Sequence, residues 1–177
     1  MAPKNILTLL EGGDRRTIGR ADEVAALVSK NLRLFGGLIR GLWSDNPLVR
    51  MRAADAAEKV TRNNRTLVQP YKKQLLGLLA EAEDQELRWH LAVMIPRLAL
   101  DVTERQRAAS LLEGYLEDRS SIVKTFALQG LADLAEDEPH IRPRVLETLR
   151  EAARSGTAAM SARSRKLLVR LERMEMQ

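Results

Sequence analysis

Shifted against itself by 37 residues, the chain superposes its own leucines: Leu38, Leu75, Leu112 and Leu149 fall in one column, and Leu42, Leu79, Leu116 and Ala153 in the next. A fixed period of this size marks units of two helices that bury their apolar faces only against neighbouring units. A second family of columns precedes the first. Val49, Leu87, Val123 and Met160 align at steps of 38, 36 and 37 residues. Further along the same segments stand Ala53, Leu91, Ala127 and Ser164, then Ala57, Ile95, Leu131 and Leu168, then Val60, Leu98, Leu134 and Leu171. Offsets of 4, 8 and 11 residues within each segment place these positions on one stripe of an α-helix.

Caps and prolines divide the chain at the same places. Asp45 or Asn46 caps a helix with Pro47 in its first turn, Ser120 or Ser121 caps another, Thr103 a third, and Asp137 or Glu138 stands before Pro139 in the same way. Pro96 lies inside the stripe from Leu87 to Leu98 and is expected to kink that helix, since its ring removes a backbone donor. The expected helices run near 4–11, 20–29, 31–43, 47–62, 67–81, 84–100, 103–117, 121–136, 139–154 and 158–175. The N-terminal unit is irregular, because Val24 precedes Val49 by only 25 residues. Terminal repeats must turn one face to water, so irregular ends are expected.

Three segments carry a resemblance: Leu42-Trp43-Ser44-Asp45-Asn46-Pro47-Leu48-Val49-Arg50, Glu83-Asp84-Gln85-Glu86-Leu87-Arg88, and Glu117-Asp118-Arg119-Ser120-Ser121-Ile122-Val123-Lys124. Each has an acidic residue, a short gap, and an aliphatic residue followed by a cation, and so resembles the HEAT repeat of the armadillo-like helical solenoids. The resemblance covers about 31–175, and the last unit departs from it with Met160-Ser161. The stretch from Leu10 to Arg20 followed by such repeats also resembles a group of uncharacterised bacterial and archaeal HEAT-like proteins. The implied fold is all-α: a right-handed α-α superhelix of about four helical hairpins with an irregular N-terminal unit. It implies a single domain over 1–177, with an irregular cap at 1–30, regular repeats at 31–156 and a capping helix at 157–177.

Composition narrows the chemistry. The chain has no Cys, which excludes disulfides, thiolate metal sites and a cysteine nucleophile, and its two histidines, His90 and His140, stand fifty positions apart. No HExxH or clustered carboxylate–histidine spacing occurs, so no catalytic residue, metal site or cofactor is expected. No stretch of about 18 apolar residues is present, and a soluble cytoplasmic protein without membrane partners is the expectation.

The net charge of +5 is unevenly spread. Residues 1–42 carry seven basic and four acidic side chains, 43–137 thirteen and fifteen, and 138–177 nine and five. A slightly acidic centre argues against a uniform phosphate-tracking surface. One local row stands out in the 37-residue register: Arg33, Arg107 and Arg144 share a column interrupted by Pro70, and Lys73 lies one turn further on, with Gly36 and Ser110 as counterparts. In HEAT-like solenoids the second helices generally line the concave surface, so the resemblance places this row in a groove near helix N-termini. Anions gain there from backbone N–H groups. The alternative is a solvated charged face. Arg50, Arg88 and Lys124, spaced from Asp45, Asp84 and Asp118, suit a structural ladder of ion pairs.

Two further places invite weighing. Trp89 and His90 are adjacent, and on a helix only one of them can lie deep in the stripe of Leu87, Leu91 and Ile95. They suit base stacking and proton transfer, or, in the plainer reading, Trp89 fills a gap between repeats while His90 sits at the surface. Gly12-Gly13-Asp14-Arg15-Arg16 suits an anion cradle with Arg15 and Arg16 beside it, or a helix stop and turn with Asp14 or Thr17 starting the next helix. The leading expectation for function is a non-catalytic scaffold that binds a protein partner through its concave helix face. The alternative is nucleic-acid binding, distantly like the HEAT-like DNA alkylation-repair glycosylases. Those place aromatic and acidic residues around a damaged nucleotide, whereas the next acidic residue after Trp89 is Asp101.

Overall fold

Apolar stripes repeating at helical spacing over the whole chain leave no segment for a sheet. A computed structural model describes residues 5–14 and 16–175, the last by its backbone alone, and every regular element among them is helical. Arg15 lies outside the described residues. The contacts gather into two compact units, Met1–Tyr71 and Lys72–Gln177. Among the described residues no helix is long and apolar enough to cross a membrane.

The first unit holds α1 (Ala21–Lys30), α2 (Phe35–Arg40) and α3 (Pro47–Asn63), with 3-10 turns at Ile6–Leu10, Leu32–Leu34, Gly41–Trp43 and Arg65–Tyr71. Its other elements pack chiefly on α3, which is capped by the Asn46 side chain accepting from Leu48 N–H with Pro47 at its start. On the buried stripe of α3 sits a charge, Arg52, 2% exposed. Its guanidinium donates to four backbone carbonyls of the segment before α1: Leu10 O at 2.9 Å, Gly12 O at 2.6 Å, Asp14 O at 3.0 Å and Thr17 O at 3.3 Å. These bonds satisfy carbonyls that no helix or sheet pairs, and the carbonyl dipoles offset the buried charge. Gly19 adopts φ +52°, and a Cβ there would stand 2.6 Å from Arg52 Cζ, so both backbone and space demand glycine.

The second unit holds α4 (Lys72–Glu81), α5 (Gln85–Met94), α6 (Val102–Gly114), α7 (Ser121–Glu136), α8 (Arg142–Ser155) and α9 (Ala158–Glu175). Helix α7 packs against α5 and α9, with α6 and α8 also against it. Gly130 is what lets α7 approach α5: a Cβ there would meet Ala92 O at 2.2 Å. The register is read out in burial. Leu38, Leu75, Leu112 and Leu149 are all 0% exposed, and so are Ala53, Leu91, Ala127 and Ser164. A fully buried leucine contributes about 1.5–3 kcal/mol.

One ion pair of the expected ladder, Arg88 with Asp118, ties the start of α5 to the segment before α7. Arg88, in the first turn of α5, donates to Asp118 Oδ2 at 2.6 Å and to Ala82 O at 2.7 Å, and its guanidinium lies 5.2 Å from the Tyr115 ring centre. Arg50 repeats the second contact in the first unit, donating to Ser44 O six residues back. The cation at this repeat position thus satisfies a carbonyl just past the end of the preceding helical segment.

Several boundaries differ from the sequence expectation. Pro96 ends α5 rather than kinking it: α-helix stops at Met94, a 3-10 turn covers Ile95–Arg97, and Leu98 is extended. Asp101, not Thr103, caps α6, in a reciprocal box with Glu104. Pro139 begins no helix; α8 starts at Arg142 with Pro143 in its first turn. Neither Asp14 nor Thr17 caps α1, whose N-cap is Arg20 without a side-chain bond.

Replacing Arg52 by Met leaves carbonyls of the 10–17 segment without a donor. A loss of roughly 3 kcal/mol in urea denaturation and earlier proteolytic cleavage within that segment are expected. A second prediction concerns acid. Burial opposes ionisation of Asp118, but the Ser120 N–H and the Arg88 guanidinium outweigh it and hold the carboxyl below its usual value. Its stabilising contribution is complete above the unfolded value of about 3.9 and is lost as pH falls through the depressed folded value. Denaturation measured against pH should show a smaller acid loss in Arg88→Met than in the native chain.

Candidate functional site

Helix α8 carries two stripes. Val145, Leu146, Leu149 and Ala152 face the core, while Arg144, Glu147, Thr148, Glu151, Arg154 and Ser155 line a cleft of about 570 Å³. The rest of the lining is Leu116 and Glu117, on the 3-10 turn Tyr115–Glu117 that extends α6, with Leu128 of α7, Ala152 of α8, Gly156, and Met160 of α9. The floor is apolar, formed by Leu116, Leu128, Ala152 and Met160.

This is where the repeat register fails. Leu42 and Leu79 are 0% exposed, yet their column mate Leu116 is only half-buried; Val49, Leu87 and Val123 are at most 3% exposed, yet Met160 in their column is half-buried too. Ala153 stands where the earlier units have leucine, and Gly156 follows α8 as its C-cap. Beside the small Ala153, the Leu116 and Met160 parts of the floor stay in contact with water.

The polar rim is largely committed. Arg144 Nε stands 2.7 Å from Glu113 Oε1. Arg154 Nη2 is 2.7 Å from Glu151 Oε2, whose other oxygen accepts from the Ser155 hydroxyl at 2.7 Å. Those two donors, Ser155 first, hold the Glu151 carboxyl below its usual value. The Thr148 hydroxyl donates to Arg144 O at 3.0 Å. Both hydroxyls of the lining, Thr148 and Ser155, are thus engaged within α8. Among the described residues no group of three or more His, Asp or Glu stands where it could hold a metal ion.

Of the basic row expected from the sequence, only Arg144 reaches this cleft. Arg33 lies exposed on the turn Leu32–Leu34 of the first unit, and Lys73 on α4 and Arg107 on α6 are exposed in the second. Lys73 is close to Glu104, whose carboxyl is held down by the Lys72 hydrogen bond, then the Asp101 N–H, with a smaller contribution from Lys73. In the Gly12–Arg16 segment the carbonyls of Gly12 and Asp14 turn to Arg52 and Arg16 N–H donates to Asp14 Oδ1 at 2.9 Å, the geometry of a turn around an internal cation.

His90 is not at the surface: it is 2% exposed, with Nδ1 2.5 Å from Glu86 O one helical turn back. Trp89, half-buried, stacks on the His90 ring at 3.4 Å and on Phe126 of α7 at 4.9 Å, and Arg163 of α9 covers Phe126 at 5.3 Å. The pair faces a stack of side chains rather than an opening. Both Arg52 and His90 occupy the position three residues beyond the Val49 and Leu87 column, which neighbours the stripe and could have flagged them as buried. The cleft residues Glu147 and Thr148 belong to no column or motif of the sequence; the signal for the cleft lay in Ala153 and Met160, where the columns change residue type.

Comparison with protein-family models, with curated proteins and with solved structures returns no match for this chain.

The two leucines of one column should respond differently to truncation. Leu79→Ala is expected to cost about 2–5 kcal/mol in urea denaturation. Leu116→Ala, already partly in water, should cost about 1 kcal/mol.

Proposed function

We propose that the chain is a non-catalytic binding module, and that its second unit takes a protein segment into the α8 cleft. The observation that carries this is an apolar floor left partly open at Leu116 and Met160, whose column mates Leu42, Leu79, Val49, Leu87 and Val123 are buried, inside a rim whose hydroxyls and arginines are already paired. The 37-residue leucine register, with α7 packed against both α5 and α9, supports a HEAT-like stack as the scaffold. An apolar recess bounded by polar groups of both signs suits an aliphatic side chain presented by a polypeptide. The nucleic-acid alternative draws less support, because Arg144, the one member of the basic row that lines the cleft, stands on Glu113, so a phosphate there would compete with a carboxylate already in place.

A photoreactive phenylalanine derivative placed at Thr148, with a second variant carrying it at Val169 on the exposed side of α9, tests the assignment. Thr148 is expected to label a protein that Val169 does not. The labelled protein, purified, should bind the native chain and lose at least tenfold affinity for Leu116→Glu, whose helicity and melting stay native-like. Equal labelling from both positions, or unchanged affinity for Leu116→Glu, refutes the cleft as the site.

A further inference from the structure

The charges lining the cleft do not cancel once their partners are removed. Five ionised side chains line it: Glu117, Arg144, Glu147, Glu151 and Arg154. Arg144 belongs to Glu113, and Arg154 to Glu151. Glu117 and Glu147 have no cation within ion-pairing distance among the described residues. One stands on the turn Tyr115–Glu117 and the other on α8, so each wall contributes one uncompensated carboxylate beside the apolar floor.

Glu117 gains little from its own helix. It is the last residue of the helical rod formed by α6 and its 3-10 extension, where outward carbonyls carry partial negative charge and a cation is the stabilising choice. Arg119, two residues on, lies outside the lining. A chain with a surplus of positive charge thus leaves this one recess negative.

We infer that the cleft selects a partner segment in which a lysine or arginine flanks an aliphatic side chain, the aliphatic group on the Leu116–Met160 floor and the cation against Glu117 and Glu147. This rests on the reading of the cleft as a protein-binding site. It also reverses the sign expected of Arg144 from sequence, because that guanidinium is spent on Glu113 and supplies no anion site. Rim pairs of this kind favour encounter and choice of partner more than raw affinity. Two exposed pairs at about 0.2–1 kcal/mol each correspond to a preference of roughly 2- to 30-fold.

The probes are four degenerate synthetic peptide pools of equal length: leucine flanked by lysine, leucine flanked by glutamate, leucine flanked by serine, and glycine flanked by lysine. Binding to the full chain is measured by fluorescence anisotropy at low and high salt, for the native sequence and for the double variant Glu117→Lys/Glu147→Lys, with melting recorded for each. The expected result is lysine-flanked leucine bound roughly 2- to 30-fold more tightly than serine-flanked leucine. That gap should close at high salt, and the order of the lysine and glutamate pools should invert in the double variant. Leucine pools binding alike whatever their flanks, or the glutamate pool preferred by the native chain, overturns the charge selection and leaves the cleft as a binding site. Failure of every leucine pool to bind, or lysine-flanked glycine binding as well as lysine-flanked leucine, overturns both.

Discussion

Helix α7 is buried around most of its circumference, and the second unit depends on that. Its buried positions, from Val123 through Leu128, Leu131 and Leu134, leave it reliant on all four helices packed against it, α5, α9, α6 and α8. A helix of this kind is stabilised by its neighbours more than by its own propensity. Gly130 sets how near α5 may come, and Ala127 and Ala132 keep neighbouring positions small. Packing so close leaves little slack, so a shortage of side-chain volume elsewhere in the unit appears as open space rather than being absorbed. The cleft beside α8 is where that shortage falls.

Much of this was legible in the sequence because it depends on spacing. The columns from Leu38 and from Val49 are buried nearly throughout, and the helices from α3 onward lie close to where the stripes and caps put them. What escaped depends on long-range partners. Thr103 is the cap the sequence suggests for α6; Asp101 takes that place because Glu104 closes a reciprocal bond with it. Arg52 looks like a surface cation until the 10–17 segment is folded over it. Helical spacing puts His90 nearer the stripe than Trp89; what spacing cannot show is that Trp89 stacks on the His90 ring and on Phe126 of α7.

Net charge illustrates the same limit. The sequence places a surplus at the C-terminal end, and the register aligns cations into a row, but neither says which of them remain available. Pairing decides that. Arg144, Arg150, Arg154 and Arg170 each stand against a carboxylate, while Arg142 is turned onto the carbonyls of Ala135 and Glu136. The surface a partner meets is what the pairing leaves over, and at the cleft the remainder has the opposite sign from the whole.

Arg52 grips the segment before α1 entirely through main-chain oxygens. Every residue type carries that oxygen, so the grip is indifferent to the side chains displayed there. Outside the glycine positions, whose backbone or clearance admits no substitute, this loop can vary its outer surface without loosening its attachment to α3. It is a mount whose display can change while its fastening stays the same.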